Sequence, residues 1–216
     1  MDFIGAYSGD NLSFIMEGFW TTVWISVVAI ILSFVLGLVL GVLRYTRIPG
    51  VYHAVAVVVD TIRNLPLLLL IFFAYMVLPQ LGIKLGIYWS AILALTVFEG
   101  AMISEIVRGG LTSINKGQIE AARSSGLSYM QALLHITLPQ ALRRMSPPMV
   151  SQFISLLKDT SLAVIISLPE LMHNVQIVNG QKFAYAIPTM LLAAVLYFTV
   201  NYVLSITARR LEAKHI

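Results

Sequence analysis

Lys158-Asp159-Thr160-Ser161 sets a cation, an anion and two hydroxyls side by side within a largely apolar stretch. Charge in such a stretch is costly and marks a functional site by default. The set suits a zwitterion, with its carboxylate on Lys158, its ammonium on Asp159 and the hydroxyls of Thr160 and Ser161 serving the rest. Glu99, in another apolar stretch, is a second candidate for the ammonium. At ~1.5 Å rise per residue, Glu99 lies roughly 12 Å from one end of its stretch and Lys158 roughly 14 Å from one end of its own, so both reach similar depth. The competing reading is an internal ion pair that holds a bundle together. Asp60/Arg63 and Glu105/Arg108 are each three apart on a helical face and read as local neutralisation and anchoring.

Positioning such groups requires spans, and five segments are long enough for a hydrocarbon layer of ~30 Å. They are about Trp20–Leu43, Val51–Leu78, Gly86–Val107, Met149–Leu168 and Tyr185–Ala208. Pro66 removes a helical hydrogen bond and favours a kink in the second. With 58% hydrophobic and 11% charged residues, the 216-residue chain is not a soluble domain. It has no cysteine, so disulfide and thiolate chemistry are excluded. His53, His135, His173 and His215 lack ligand-like spacing, so no metal site is expected. The first span reads as a retained helix rather than a signal peptide. Asp2, Asp10 and Glu17 precede or open it, and nothing basic does.

Basic residues set the direction. Arg44 and Arg47 follow the first span, Arg108, Lys116, Arg123, Arg143 and Arg144 crowd the third loop, and Arg209, Arg210 and Lys214 follow the fifth. Lys84 and Lys182 alone occupy the other side. Lys and Arg prefer the cytoplasmic side, so the N-terminus is expected outside and the long loop and C-terminus inside. The net charge of +4 therefore reports topology rather than a nucleic-acid partner. The expectation is an all-α membrane protein of one domain, residues 1–216. Without a Gly-x-x-x-x-Gly-Lys-Ser/Thr loop, any nucleotide chemistry must come from another chain.

The long loop, about residues 111–148, is amphipathic. Asn115, with Gln118 three residues on, reads as the cap of a helix over 117–125. Gly126-Leu127-Ser128 breaks it, and Ser128 caps a second helix expected to run to Leu138, with Pro139 near its end. Two short helices joined at a glycine make a knob that docks in a cleft. The bland alternative is a hairpin lying on the lipid surface.

Glu120-Ala121-Ala122, three residues, Gly126, nine residues, then Ile136-Thr137-Leu138-Pro139 resembles at every position the EAA loop of bacterial ABC importer membrane subunits. Thr61–Pro66, Ser104–Gly110 and Leu157–Leu162 extend the resemblance to the polar-amino-acid branch of that family. It implies five spans and a coupling helix carrying Glu120, Ala121, Ala122 and Gly126, with Pro139 closing the motif. It implies a pathway shared with a second membrane subunit, identical or homologous, in the cell membrane. It also implies two ATP-binding cassette subunits that hold the ATP and Mg, and an extracytoplasmic amino-acid-binding protein. Substrate roles for Glu99, Lys158, Asp159, Thr160 and Ser161 follow in the same way. Glu99 disfavours purely acidic substrates by like-charge repulsion unless it is protonated or faces away. Glutamine is the expected substrate, with glutamate or aspartate close behind. An ion-coupled secondary transporter is the alternative, disfavoured by five spans without an inverted repeat. An intramembrane enzyme lacks a nucleophile–base pair.

Overall fold

A computed structural model describes residues 1–213, with side chains described through Thr207. The side chains of Arg209 and Arg210, and Lys214 and His215 altogether, lie outside the described residues. Among the described residues every regular element is helical. They are α1 (Phe3–Ala6), α2 (Gly9–Thr46), α3 (Val51–Asn64), α4 (Leu67–Phe72), α5 (Gly86–Thr112), α6 (Lys116–Ser124), α7 (Tyr129–Ala132), α8 (Leu138–Asp159), α9 (Leu171–Gln181) and α10 (Ala186–Ala213). Four helical stretches are long and apolar enough to cross a membrane, or five if the broken pair Val51–Asn64 and Leu67–Leu81 is one span.

Three boundaries differ from those expected, each for a local reason. Helix α2 starts at Gly9 rather than near Trp20. Apolarity marks the hydrocarbon layer, whereas helical hydrogen bonds continue through polar turns such as Asp10–Glu17. The second segment is broken outright: α3 ends at Asn64, and Pro66 precedes α4 in an extended conformation, φ −62 and ψ 132. A residue before proline avoids the helical region, and proline itself donates nothing. The helix after Ser128 does not stop at Leu138 but continues unbroken over Tyr129–Ile166. Pro139 cannot donate to the carbonyl of His135, and a π-helical turn over Leu133–Thr137 resets the pairing just ahead of it.

Contacts divide the chain into two compact units. The first comprises Met1–Leu32, Leu65–Thr96 and Phe153–Leu204. Its core holds Ile15, Leu171, Val175, Val178 and Ala193, with Phe14, Phe19 and Tyr197 packed against them. The Tyr7 hydroxyl donates to the Pro188 carbonyl at 2.8 Å, and the Asp2 amide to Ala184 at 3.1 Å, which secures the chain's start. Farther along, the Thr22 and Tyr197 hydroxyls meet at the Glu170 carboxylate.

The second unit comprises Ser33–Asn64, Val97–Gln152 and α10 from Ser205. Here α2 and α5 touch through glycines four apart. A Cβ on Gly37 would fall 2.5 Å from the Ile103 side chain, and one on Gly41 2.7 Å from the Ser104 carbonyl. Small residues at this spacing let helix backbones approach where lipid removes the hydrophobic drive for association. Both numbers rise together, from Gly37 with Ile103 to Gly41 with Val107, so these helices also run parallel.

Candidate functional site

Helix α8 reaches Asp159, and a 3-10 helix takes over at Thr160 and continues to Ile166. The Lys158–Ser161 set therefore straddles a change of helix type rather than one regular helix. Lys158 is exposed, Asp159 and Ser161 are half-buried and Thr160 is buried. The Thr160 hydroxyl donates to the Leu157 carbonyl and the Ser161 hydroxyl to that of Lys158, both at 2.7 Å. Each hydroxyl thus has its proton committed to its own turn. The turn carries a cation, an anion and two hydroxyls, of which only that of Ser161 is not fully buried.

Glu99 belongs to the other unit and is fully buried in α5. Gln152 Nε2 donates to Glu99 Oε2 at 2.6 Å. Gln152 lies outside the residues that the sequence singles out. The signal was there in the spacing, since Gln152, Ser155 and Asp159 fall on one face of α8 at i, i+3 and i+7. Carboxamide and carboxylate together offer a polar site within the apolar part of α5 and α8.

The Asp60/Arg63 and Glu105/Arg108 pairs form, at 4.0 and 2.9 Å, but not as isolated pairs. Arg44 contacts both acids, and Arg63 also reaches Glu105 at 3.7 Å. Local neutralisation is corrected to one network across α2, α3 and α5, because α2 brings Arg44 in from outside either spacing.

The loop is built at its caps. The Asn115 side chain accepts from the Gly117 amide at 2.9 Å and starts α6. Gln118 does not complete a box there, because its side chain pairs with Gln140 instead. At the break, Gly126 adopts φ +92, a left-handed conformation favouring glycine. Its amide donates to Arg123 at 3.0 Å, and that of Leu127 to Ala122 at 3.2 Å. Ser128 and Gln131 then form the reciprocal capping box that opens α7. Ala122 faces inward, whereas Glu120, Ala121, Arg123, Gly126 and Pro139 are exposed. Tyr129, Met130 and Leu134 add exposed apolar surface beside them.

Glu170 also lies outside the residues that the sequence singles out. It lies between the last two long helices, after the left-handed turn at Ser167, and is fully buried. Its carboxylate caps α9, accepting from the amides of Met172 and His173 at 3.0 and 2.8 Å. Tyr197 and Thr22 hydroxyls donate at 3.3 and 3.5 Å. Burial pushes its pKa from 4.5 up to about 7, against the four donors that favour its charge. A folded pKa above the unfolded one means that the folded chain holds the proton more tightly. The stability it contributes is fully present below pH 4.5 and is lost as pH rises through 7, by about 3 kcal/mol over the window. Thermal unfolding of the detergent-solubilised protein between pH 5 and 8.5 should show this loss, and Glu170→Gln should flatten it. An unchanged slope in the variant would assign the pH dependence elsewhere.

Comparison with known proteins bears on the whole chain. The family model described as "Binding-protein-dependent transport system inner membrane component" matches residues 33–215. This chain belongs to that family. It is 62% identical over 216 residues to the "Probable glutamine ABC transporter permease protein GlnP" of Bacillus subtilis (strain 168), covering 99% of each protein. The "Probable glutamine ABC transporter permease protein GlnM" of the same organism is 38% identical, over 95% of this chain and 94% of GlnM. A solved "amino acid ABC transporter with histidines" superposes with a TM-score of 0.90 at 23% identity, covering 99% of both chains, which shows the fold. The inner membrane component is thus a multi-pass transport protein of the cell membrane.

Proposed function

We propose that this inner membrane component forms the translocation pathway of an ATP-driven importer of glutamine, with glutamate or aspartate next. The observation that carries the reading is the doubly capped, exposed loop bearing the complete Glu120–Pro139 pattern in a chain of this family. The glutamine named for a 62% identical relative supports the substrate. The single domain spans the membrane five times, with the N-terminus outside and the coupling loop, residues 111–148, in the cytoplasm. Parallel α2 and α5 support the count: a chain that leaves α2 on one side and enters α5 from the other must cross between them. The broken α3–α4 segment is that crossing.

Two ATP-binding cassette subunits hold ATP and Mg and grip α6 through the exposed Glu120 and Ala121, while the inward-facing Ala122 seats α6 on its own loop. Gly126 sets the angle to α7, and Pro139 sits where the loop helix runs into α8. A second permease subunit, for which the GlnM-like relative is a precedent, completes the pathway, and an extracytoplasmic binding protein delivers the amino acid. Lys158, Asp159, Thr160 and Ser161 contact the substrate in the first unit, and Glu99 contacts it in the second. The pattern of the loop and the family disfavour an ion-coupled secondary transporter. The test is reconstitution in proteoliposomes with the neighbouring ATPase and binding-protein gene products. Glutamine is expected to stimulate ATP hydrolysis and to accumulate inside. Stimulation by another amino acid alone would overturn the substrate, and uptake driven by an ion gradient without ATP would overturn the mechanism.

A further inference from the structure

Five charged side chains converge where α2, α3 and α5 end. Arg44 is only 7% exposed and contacts Glu105 as well as Asp60, the latter at 3.4 Å. Glu105, itself 18% exposed, also accepts from Arg108 at 2.9 and 3.0 Å and lies 3.7 Å from Arg63. These contacts are not equivalent. Arg108 is on the same helix three residues away, so its pair holds nothing together. Arg44 and Arg63 come from α2 and α3, so their pairs with Glu105 join three helices at one carboxylate. A nearly buried guanidinium is costly unless an anion lies beside it, and Asp60, 53% exposed, is the weaker of its two partners.

The same helix end continues into the loop. Four residues past Arg108 α5 ends, and Asn115 caps α6 three residues later. Arg144 on α8 donates to the Ser113 carbonyl at 2.6 Å, and Gly110 admits the Met145 side chain where a Cβ would collide with it. The loop is thus fastened to the end of α5 from both sides, and Glu105 fastens α5 to α2 and α3.

We propose that Glu105 is a positioning residue of the transport cycle: it binds the ends of α2, α3 and α5 into one body, so that force received at α6 moves all three spans together. This rests on the coupling role proposed above for the loop. Without the carboxylate, α6 still docks and ATP is still hydrolysed, but α5 moves without its neighbours.

The test compares Glu105→Gln, Arg44→Gln and Arg108→Gln in the reconstituted complex, reading amino acid transported per ATP hydrolysed. Glu105→Gln and Arg44→Gln should lower the ratio by at least about fivefold, the lower end of typical coupling effects, while Arg108→Gln stays within about twofold. The chain contains no cysteine, so cysteines placed at the exposed Thr46 and Thr112 accept spin labels cleanly. The distance between them should broaden in Glu105→Gln on ATP addition and stay narrow in Arg108→Gln. A normal ratio with a narrow distance in Glu105→Gln would overturn the proposal. So would an equal fall in Arg108→Gln, because local charge would then suffice. If Glu105→Gln does not assemble, the half-exposed Arg63→Gln replaces it under the same criteria. Gly126→Pro, run in parallel, separates the two claims: normal coupling there removes the loop's role, whereas a defect there beside a normal Glu105→Gln removes only this one.

Discussion

Gly126→Pro should largely abolish substrate-stimulated ATP hydrolysis and uptake while leaving the spans inserted. Gly126 sits at φ +92, and proline is confined near −65°, so the turn cannot keep its shape. The hydrogen bond that the Gly126 N–H donates to the Arg123 carbonyl is lost as well. Both changes alter the angle between α6 and α7, the geometry on which a docked partner would act. Uptake should fall at least about tenfold, a loss within the usual range of coupling free energies. Gly126→Ala keeps the amide and costs only about 1–2 kcal/mol of left-handed strain, so it should retain part of the activity. Glu120→Lys should also abolish uptake, through the exposed face of α6 rather than the turn. Normal ATPase recovery with normal stimulation in Gly126→Pro would show that force enters elsewhere.

Lys158→Ala is expected to weaken apparent glutamine affinity by roughly ten- to a hundredfold. That is the worth of one charge-assisted hydrogen bond, about 1.5–3 kcal/mol. The structure makes the test sharper than the sequence did. Lys158 is exposed, so removing it should leave the thermal midpoint almost unchanged. Were its role instead to neutralise Asp159 within the bundle, stability would fall first and affinity would hold. A lowered midpoint with unchanged affinity would make Lys158 a structural residue. Glutamine-dependent ATP hydrolysis and a thermal melt of the same preparation decide between the two.

What the sequence by itself determined is what depends on near neighbours along the chain. Apolar runs located the long helices, because only a satisfied backbone survives in hydrocarbon. Asn115, Gly126 and Ser128 marked the loop's helix starts and its break, because capping and left-handed turns involve residues two to four apart. Pro66 marked the interruption of the second segment for the same reason. Pro139 misled, since a proline that ends many helices is here absorbed by a π-helical turn in a continuous one. Tertiary structure decided the polar partnerships inside the layers of helices. Gln152 meets Glu99 across 53 residues, and Thr22 meets Glu170 across 148. Arg44 turns two local ion pairs into a five-charge network because α2 and α5 pack closely at Gly37 and Gly41. Helical periodicity says which face a side chain occupies, but burial obliges each polar group to find a partner on whichever helix the packing brings alongside.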